Sequence, residues 1–388
     1  MTSSISPASS DSGRRLLAID ALRGLVIVIM LLDHVRETFF LHQQVGDPMD
    51  VSATSPALFF SRLLTHLCAP AFVFLAGLSA WLYGAGNRGA TAAFLAKRGV
   101  FLIALELLVV NFAWTFQFPP SVIYLQVIWV IGLSMLALAA LLWLPRAALA
   151  AVGLVLVAGH NALDAVHFAA GHAMHLPWAV LHDRGWIELG DTLRMRTSYP
   201  LLPWIGVIAL GYAAGPWFAR QVPAPTRQRR LWTTGLAALA GFAVLRAING
   251  YGQAQPWAAQ DEALRTAMSF LNVTKYPPSL MFLLLTLGLS LCLLALIERA
   301  PSAAWTRLLS VFGAAPMFFY LLHLYVLKAL YLAGESIWGL NQGKYFGVDS
   351  MGAVWLIAIV LAVALYWPVR GFGRLKAARR DIPWLKYL

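Results

Sequence analysis

Long apolar runs separated by short polar connections dominate the chain from end to end. Each run is about 20 residues long, the length at which an α-helix crosses the hydrocarbon core of a bilayer. The pattern therefore predicts an all-α, polytopic integral membrane protein with about ten transmembrane helices. The predicted spans are residues 22–41, 58–84, 98–117, 122–144, 147–168, 200–219, 231–249, 279–298, 309–333 and 350–369.

The distribution of charge sets the predicted orientation of these spans. Hydrophobic residues make up 60% of the 388 residues and charged residues only 12%, against about 25% charged residues in an average soluble domain. Most of the 29 Lys and Arg residues lie in connections on the side of the N-terminus, so the positive-inside rule predicts that both termini are cytoplasmic. Because no aromatic patch accompanies the basic residues, the net charge of +12 does not indicate nucleic-acid binding.

The two ends of the chain differ from its apolar middle. Residues 1–13 are rich in serine and lack periodicity, which predicts a disordered cytoplasmic tail. We expect a single transmembrane domain over residues 14–370 and a basic cytoplasmic tail over residues 371–388. The side opposite the termini carries the long polar connections, residues 42–57, 169–199 and 250–278. Such loops are where a water-soluble substrate would be met.

Ionisable residues interrupt the first predicted span. Asp33, His34 and Arg36 follow eight apolar residues, and each charged side chain costs roughly 2.5–3.5 kcal/mol at the centre of a bilayer, so their presence points to a function. Arg23 lies eleven residues before His34, a rise of about 16 Å along a helix. With Arg23 at the cytoplasmic surface, His34 lies near mid-membrane. Because neighbours on a helix do not face each other, we expect the partner of His34 to come from another helix rather than from Asp33.

Three further histidines fall at comparable depth in other predicted spans. His66 shares a helix face with Arg62, and His160 shares one with Asp164, because residues four apart lie on the same side of a helix. His323 follows an aromatic run in the ninth span. A single histidine in a membrane is more often packed than catalytic, but four at similar depth favour a polar central cavity.

The chemistry of this cavity stays open on the residues alone. A histidine oriented by a partner acts as a general base or a nucleophile. Paired histidines on two helices bracket a haem iron, and chains of His and Asp relay protons in transporters. Cys68 and Cys292 lie in apolar runs, so we expect neither a disulfide nor a metal site built on thiols.

Two smaller features favour structural roles. Glu106 and Asn111 lie five residues apart in the third span, where we expect Glu106 to be structural and to pair with a basic partner. Gly77 interrupts a run of large apolar residues, which is typical of a close helix–helix contact.

Motifs at five places along the chain are shared with a known family. They are residues 19–24 together with 33–36, residues 69–77, residues 199–206, residues 275–280 and residues 316–323. Together they resemble the heparan-alpha-glucosaminide N-acetyltransferase catalytic-domain family, in particular its bacterial branch. The first helix also resembles the acyltransferase family 3 pattern, in which an Arg is followed by ten residues and the active-site His, here Arg23 and His34.

The resemblance implies a membrane-bound acyltransferase that moves an acetyl group from cytoplasmic acetyl-CoA across the bilayer. The implied acceptor is a hydroxyl or amine of an envelope sugar or a similar molecule. His34 is implied as the base or as a transient acyl carrier, and direct transfer and an acyl-enzyme both stay open. On this hypothesis we expect the catalytic residues to be His34, Asp33, His66 and His323. We expect the ligand-binding residues to be Arg23, Arg62, Arg36, Lys275 and Tyr276, with Arg23 near the donor phosphates.

The same resemblance implies a multi-pass protein of the inner (plasma) membrane. Its expected partners are acyl-CoA, the exoplasmic acceptor and the lipid bilayer, and a homodimer is left open. The alternative interpretation is a proton-coupled transporter for a small solute or a lipid-linked precursor, followed by a haem-binding membrane protein.

Overall fold

The computed structural model describes residues 7–43, 49–84, 86–190, 192–379 and 381–387, and this part of the chain is mostly helical. The helices are α1 (Pro7–Phe39), α2 (Pro56–Thr65), α3 (Cys68–Tyr83), α4 (Arg88–Leu105), α5 (Asn111–Thr115), α6 (Val127–Leu141), α7 (Arg146–Gly159), α8 (His175–Leu181), α9 (Leu201–Ala213), α10 (Ala224–Ile248), α11 (Ala263–Leu271), α12 (Leu280–Arg299), α13 (Ala304–Ala314), α14 (Pro316–Trp338) and α15 (Met351–Ala378). The strands are β1 (Val122–Leu125), β2 (Gly185–Leu189) and β3 (Leu193–Thr197).

The chain divides into two compact units. Unit 1 comprises Met1–Cys68, Trp257–Asn272 and Leu293–Leu388, and unit 2 comprises Ala69–Pro256 and Val273–Cys292. The expected single domain over residues 14–370 remains a prediction. Helix α1 begins at Pro7, inside the predicted tail of residues 1–13, and residues 1–6 lie outside the described residues.

In unit 1, α1 packs backbone to backbone against α13. A Cβ atom on Gly24 would lie 1.8 Å from the carbonyl oxygen of Leu309, and one on Gly313 would lie 1.7 Å from that of Asp20. Only glycine permits this approach. The resulting backbone contact positions α1 against α13 within the unit. Helices α14 and α15 also contact α1.

Two predicted spans are each broken into two helices by a proline. Pro70 lacks an N–H and its ring clashes with the carbonyl of residue 66, so the span predicted at 58–84 ends one helix at Thr65 and begins the next at Cys68. Pro316 disfavours helical angles at Ala315, whose φ and ψ are −136° and 55°, so the span predicted at 309–333 becomes α13 and α14.

Unit 2 is built from helix pairs that meet at small residues. Gly77 of α3 faces the backbone of α9, where an added Cβ would lie 2.0 Å from the carbonyl oxygen of Ile208, and Gly211 of α9 faces the backbone of α3 in return. The prediction of a close helix contact at Gly77 is therefore confirmed. Helix α4 packs on α6, and α7 packs on α9.

Unit 2 also contains a three-stranded sheet with the order β1-β3-β2. β1 pairs with β3 in parallel, with Val122 opposite Arg194, and β2 pairs with β3 in antiparallel fashion, with Gly185 opposite Thr197. The all-α prediction is corrected here, because the span predicted at 122–144 begins with a strand. β-Branched and aromatic residues at 122–124 favour this extended start.

Seven segments of the described residues are long and apolar enough to cross a membrane. They are Pro56–Tyr83, Arg146–Leu163, Leu201–Phe218, Ala224–Ile248, Leu280–Arg299, Pro316–Trp338 and Met351–Ala378. Helix α1 carries Asp20, Arg23, Asp33 and Arg36 along its length, which lowers its apolar character. Helix α6, at 15 residues, is shorter than a full span.

Candidate active site

A buried histidine pair joins α1 to α14 in unit 1. His34 Nδ1 lies 2.7 Å from His323 Nε2, and the two rings are stacked with their centroids 4.9 Å apart. His323 is fully buried and His34 is 9% exposed. The partner of His34 therefore comes from another helix, α14, as the sequence predicts.

The backbone determines which nitrogen of each ring carries a proton. His323 Nδ1 lies 2.7 Å from the carbonyl oxygen of Phe319, and a carbonyl can only accept, so Nδ1 donates. In a neutral His323, Nε2 is then the unprotonated nitrogen and must accept from His34 Nδ1–H. The neutral His34 consequently has its lone pair on Nε2, the state that a general base requires.

A group of buried ions lies next to the histidine pair in sequence. The Asp33 carboxylate accepts hydrogen bonds from Arg36, through Nε at 3.0 Å and Nη2 at 2.9 Å, and from Arg62 Nη1 of α2. Arg36 Nη2 also donates to Glu37 at 3.0 Å. Two carboxylates and two guanidinium groups thus balance in charge, which is how buried charges are tolerated.

One donor in this group lacks an acceptor within the described residues. Arg36 is 2% exposed, and its Nη1 atom is buried with no hydrogen-bond partner there. A buried donor left in this way is costly, which marks the guanidinium of Arg36 as a group able to bind an oxygen atom of a ligand.

The other predicted residues of unit 1 occupy distinct places. His66 is buried and follows the last turn of α2, and the side chain of Arg62 in that turn is directed to Asp33. Arg23 is partly exposed and pairs with Asp20 at 2.8 Å, one turn earlier on α1. This pair lies near the middle of α1, with Arg23 eleven residues before His34.

His160, Lys275 and Tyr276 belong to unit 2 and have their partners there. His160 Nε2 lies 2.7 Å from the carbonyl oxygen of Pro278, and Nδ1 lies near the carbonyl oxygens of residues 156 and 157. Lys275 is 8% exposed, with Nζ 5.2 Å from the ring centre of Tyr276. The guanidinium of Arg184 lies 4.8 Å from the same ring, so two cations stack on Tyr276.

Tyr276 lines a polar cleft of about 410 Å³ in unit 2. The residues around it include Asn161, Asp164, His182, Asp183 and Arg184. His182 lies between the two carboxylates, 3.4 Å from Asp164 and 3.2 Å from Asp183. The sequence identified this segment only as a polar loop, because the spacing of His182 and Asp183 from Asp164 matches no local motif.

Within the part of the chain that the structure describes, neither Glu106 nor Asn111 pairs with a basic residue. Glu106 Oε2 accepts from the backbone N–H groups of Ile128 and Trp129, both at 3.1 Å. Asn111 binds the backbone of β1 through Val122 and Tyr124. Residues 106–110 form a π-helical turn, which places residues five apart on one face, so both side chains serve the segment that leads into α6. The expectation of a basic partner is wrong for the described residues, and the structural role remains a prediction that these backbone hydrogen bonds support.

Metal binding by the histidine pair conflicts with its geometry. Since each His–metal bond is about 2 Å, two nitrogens on one metal ion lie about 3.3 Å apart in tetrahedral geometry and about 4 Å apart when they are trans. His34 and His323 are 2.7 Å apart. Among the described residues, no group of three or more His, Cys, Asp or Glu side chains could hold a metal ion.

The fold and the site define a mostly helical membrane protein whose core contains a hydrogen-bonded histidine pair beside balanced buried ions. A comparison with protein families identifies it further. The family model described as heparan-alpha-glucosaminide N-acetyltransferase, catalytic, matches residues 15–245, and the chain belongs to that family. This membership indicates a transmembrane acetyltransferase in general terms.

The family match includes α1 and α2, with Asp33, His34 and Arg62, while His323 and Lys275 lie beyond its end at residue 245. A comparison with curated proteins finds no match.

Proposed function

We propose that this protein transfers an acetyl group from acetyl-CoA, bound from the cytoplasmic side, to a hydroxyl or amine of an exoplasmic acceptor such as an envelope sugar. His34 serves as the general base. The proposal places the chain in the inner (plasma) membrane with both termini cytoplasmic. The observation that carries it is the His34–His323 hydrogen bond of 2.7 Å in a chain of this acetyltransferase family.

The proposed step follows from the protonation of the pair. The acceptor O–H or N–H bond breaks, and its proton goes to Nε2 of His34. The acceptor atom forms a bond with the acetyl carbonyl carbon, the carbon–sulfur bond of the thioester breaks, and the proton moves from His34 to the leaving thiolate. Nδ1–H of His34 remains bonded to His323 throughout, which stabilises the transient imidazolium.

The lone pair on Nε2 also suits a second route to the same product. In this route His34 attacks the thioester itself, which releases the CoA thiolate and forms an acetyl-imidazole. The acceptor then takes the acetyl group from His34. Denaturing the enzyme at neutral pH after incubation with labelled acetyl-CoA and no acceptor, and separating it at once from free label, distinguishes the routes, because acid would hydrolyse an acetyl-imidazole. Label retained on wild-type protein and absent from His34→Ala supports the acyl carrier, and unlabelled protein supports direct transfer.

The buried ions are proposed to position His34 and to bind the acetyl donor. Asp33 holds Arg36 and Arg62 in place, and Arg36 Nη1, buried and without an acceptor among the described residues, is suited to the thioester oxygen. Arg23, about 16 Å along α1 from His34, is proposed to lie near the donor phosphates. His66, also in unit 1, is proposed to line the same cavity.

The experiment is acetyl transfer by the purified full-length protein with labelled acetyl-CoA and a panel of sugar acceptors. His34→Ala should lower turnover by a factor on the order of 10²–10⁴, the usual contribution of a general base. His172→Ala, an exposed histidine of the loop before α8, is the matched control and should keep full activity. Normal turnover in His34→Ala would overturn the proposal, and failure to bind or cleave acetyl-CoA would favour the transporter.

A further inference from the structure

Unit 2 contains a second cleft, of about 250 Å³, at one end of its helix bundle. Its walls come from the ends of five helices. α3 contributes Trp81 from its last turn, α4 begins with Arg88, and α6 ends beside Leu142. α7 begins with Arg146, and α9 contributes Tyr212 near its end. Arg88 and Arg146 both belong to connections that the positive-inside rule assigns to the cytoplasm.

The charge of this cleft is uncompensated within the described residues. Its lining contains two arginines and no carboxylate. Neither guanidinium has a carboxylate partner in the part of the chain that the structure describes. Tyr212 lines the same cleft, so the cleft also offers a hydroxyl donor.

The position of both arginines is unfavourable for the helices that carry them. Arg88 is the first residue of α4, and Arg146 is the first residue of α7. A cation at the N-terminus of a helix meets the positive end of the helix dipole, and two like charges at one cleft repel each other. An anion bound between them would relieve both effects, and a phosphate offers the several oxygen atoms that two guanidinium groups can share.

We propose that this cleft binds a phosphate group through Arg88 and Arg146. Two sources present such a group at the cytoplasmic surface: the headgroup of an anionic phospholipid, and the phosphates of the CoA donor. The second source rests on the proposed function, and the first does not.

The test compares two double variants of the full-length protein. Arg88→Gln/Arg146→Gln removes the proposed ligands. Arg220→Gln/Arg230→Gln removes the same charge from two other exposed arginines of unit 2 and is the matched control. Thermal unfolding of both variants verifies that they are folded, and Arg88→Lys, which keeps the charge but not the planar fork, tests the geometry.

Two binding measurements separate the sources. In one, the dissociation constants of CoA and of pantetheine, which lacks the phosphates, are measured in detergent. In the other, retention of phosphatidylglycerol against phosphatidylcholine is measured by native mass spectrometry. We expect the Arg88/Arg146 variant to lose about tenfold in affinity for either CoA or phosphatidylglycerol, as removal of charge-assisted hydrogen bonds predicts, with pantetheine and the control variant unaffected.

Each result has a definite meaning. Weaker CoA binding identifies the donor as the source, and weaker phosphatidylglycerol retention identifies the lipid. If neither differs from the control variant, the phosphate site is wrong. Because both measurements are of binding, a protein that binds phosphate here but transfers no acetyl group would overturn the proposed function and leave this site intact.

Discussion

His34 and His323 are 289 positions apart in the sequence, yet their ring nitrogens lie 2.7 Å apart. The contact exists because α1 and α14 pack together in unit 1. The carbonyl oxygen of Phe319 fixes the protonation of one ring, and that ring fixes the protonation of the other. The pair therefore acts as one chemical group.

A group of this kind should respond to mutation as a unit. We expect His34→Ala, His323→Ala and the double variant to lose similar activity, on the order of 10²–10⁴ in turnover, rather than the product of two losses. His323→Gln should retain more activity than His323→Ala, because the amide oxygen can still accept from Nδ1–H of His34. Acetyl transfer from labelled acetyl-CoA measures all four.

Additive losses in the single and double variants would contradict the prediction that the two histidines act as a unit. If the double variant loses the product of the two single losses, the histidines contribute independently. His167→Ala serves as the control, since the side chain of His167 is 68% exposed.

A second prediction concerns the stability of the buried ions. Asp33→Ala leaves Arg36 and Arg62 buried without their shared carboxylate, and breaking a buried pair in this way costs about 3–5 kcal/mol. Arg62→Ala should cost less, because Asp33 keeps both hydrogen bonds from Arg36. Thermal unfolding in detergent measures the free energy of unfolding of each variant.

The control for this prediction is an ion pair at the surface. Hydrogen bonds from the Arg379 side chain lower the pKa of Asp381, but both side chains are exposed, so Asp381→Ala should leave the unfolding midpoint unchanged. A loss in Asp33→Ala no larger than in Asp381→Ala would show that the Asp33 group contributes nothing to stability.

Hydropathy alone predicted most of the helical segments, but not where they break. The apolar pattern continues through His66 and through Ala315, and only the backbone requirements of Pro70 and Pro316 explain the breaks there. The strand at 122–125 was missed for a similar reason. Its partners lie some 70 residues further along the chain, and pairing at that range leaves no local signal.

The candidate site was predictable only as far as local spacing reaches. Helix geometry predicts that Asp33 and His34, as neighbours on one helix, point in different directions. It therefore also predicts that the partner of His34 comes from another helix. The identity of that partner depends on which helices pack together, which no periodicity contains. The backbone partners of Glu106 were missed because the π-helical turn at residues 106–110 changes the spacing that a regular helix would impose.

A third prediction uses the capping role of Glu106. Glu106→Ala removes the acceptor of two buried backbone N–H groups, those of Ile128 and Trp129, at a cost of about 1–3 kcal/mol for each. Glu106→Gln keeps an acceptor oxygen in the same place and should unfold close to wild type. Equal destabilisation by Ala and Gln in a thermal unfolding experiment would argue that the charge, rather than the acceptor, matters at this position.

A fourth prediction concerns the contact that positions α1. In Gly24→Ala, the new Cβ would lie 1.8 Å from the carbonyl oxygen of Leu309 and 2.7 Å from its carbonyl carbon. These are backbone atoms of α13, so no side chain can move aside and the two helices must separate. We expect a loss of about 1–3 kcal/mol in the free energy of unfolding, the usual cost of overpacking a core, and a similar loss in Gly313→Ala.

The same substitutions should also lower acetyl transfer, because α1 carries His34, and α13 is joined through Ala315 to α14, which carries His323. Separation of α1 from α13 should therefore disturb the hydrogen bond between His34 and His323, whose nitrogens are 2.7 Å apart. Gly371→Ala is the matched control: Gly371 lies in α15 with no heavy atom near its added Cβ, and alanine there should stabilise the helix by roughly 0.5–1 kcal/mol. An unfolding midpoint in Gly24→Ala as high as that of Gly371→Ala would mean that α1 and α13 do not pack through their backbones.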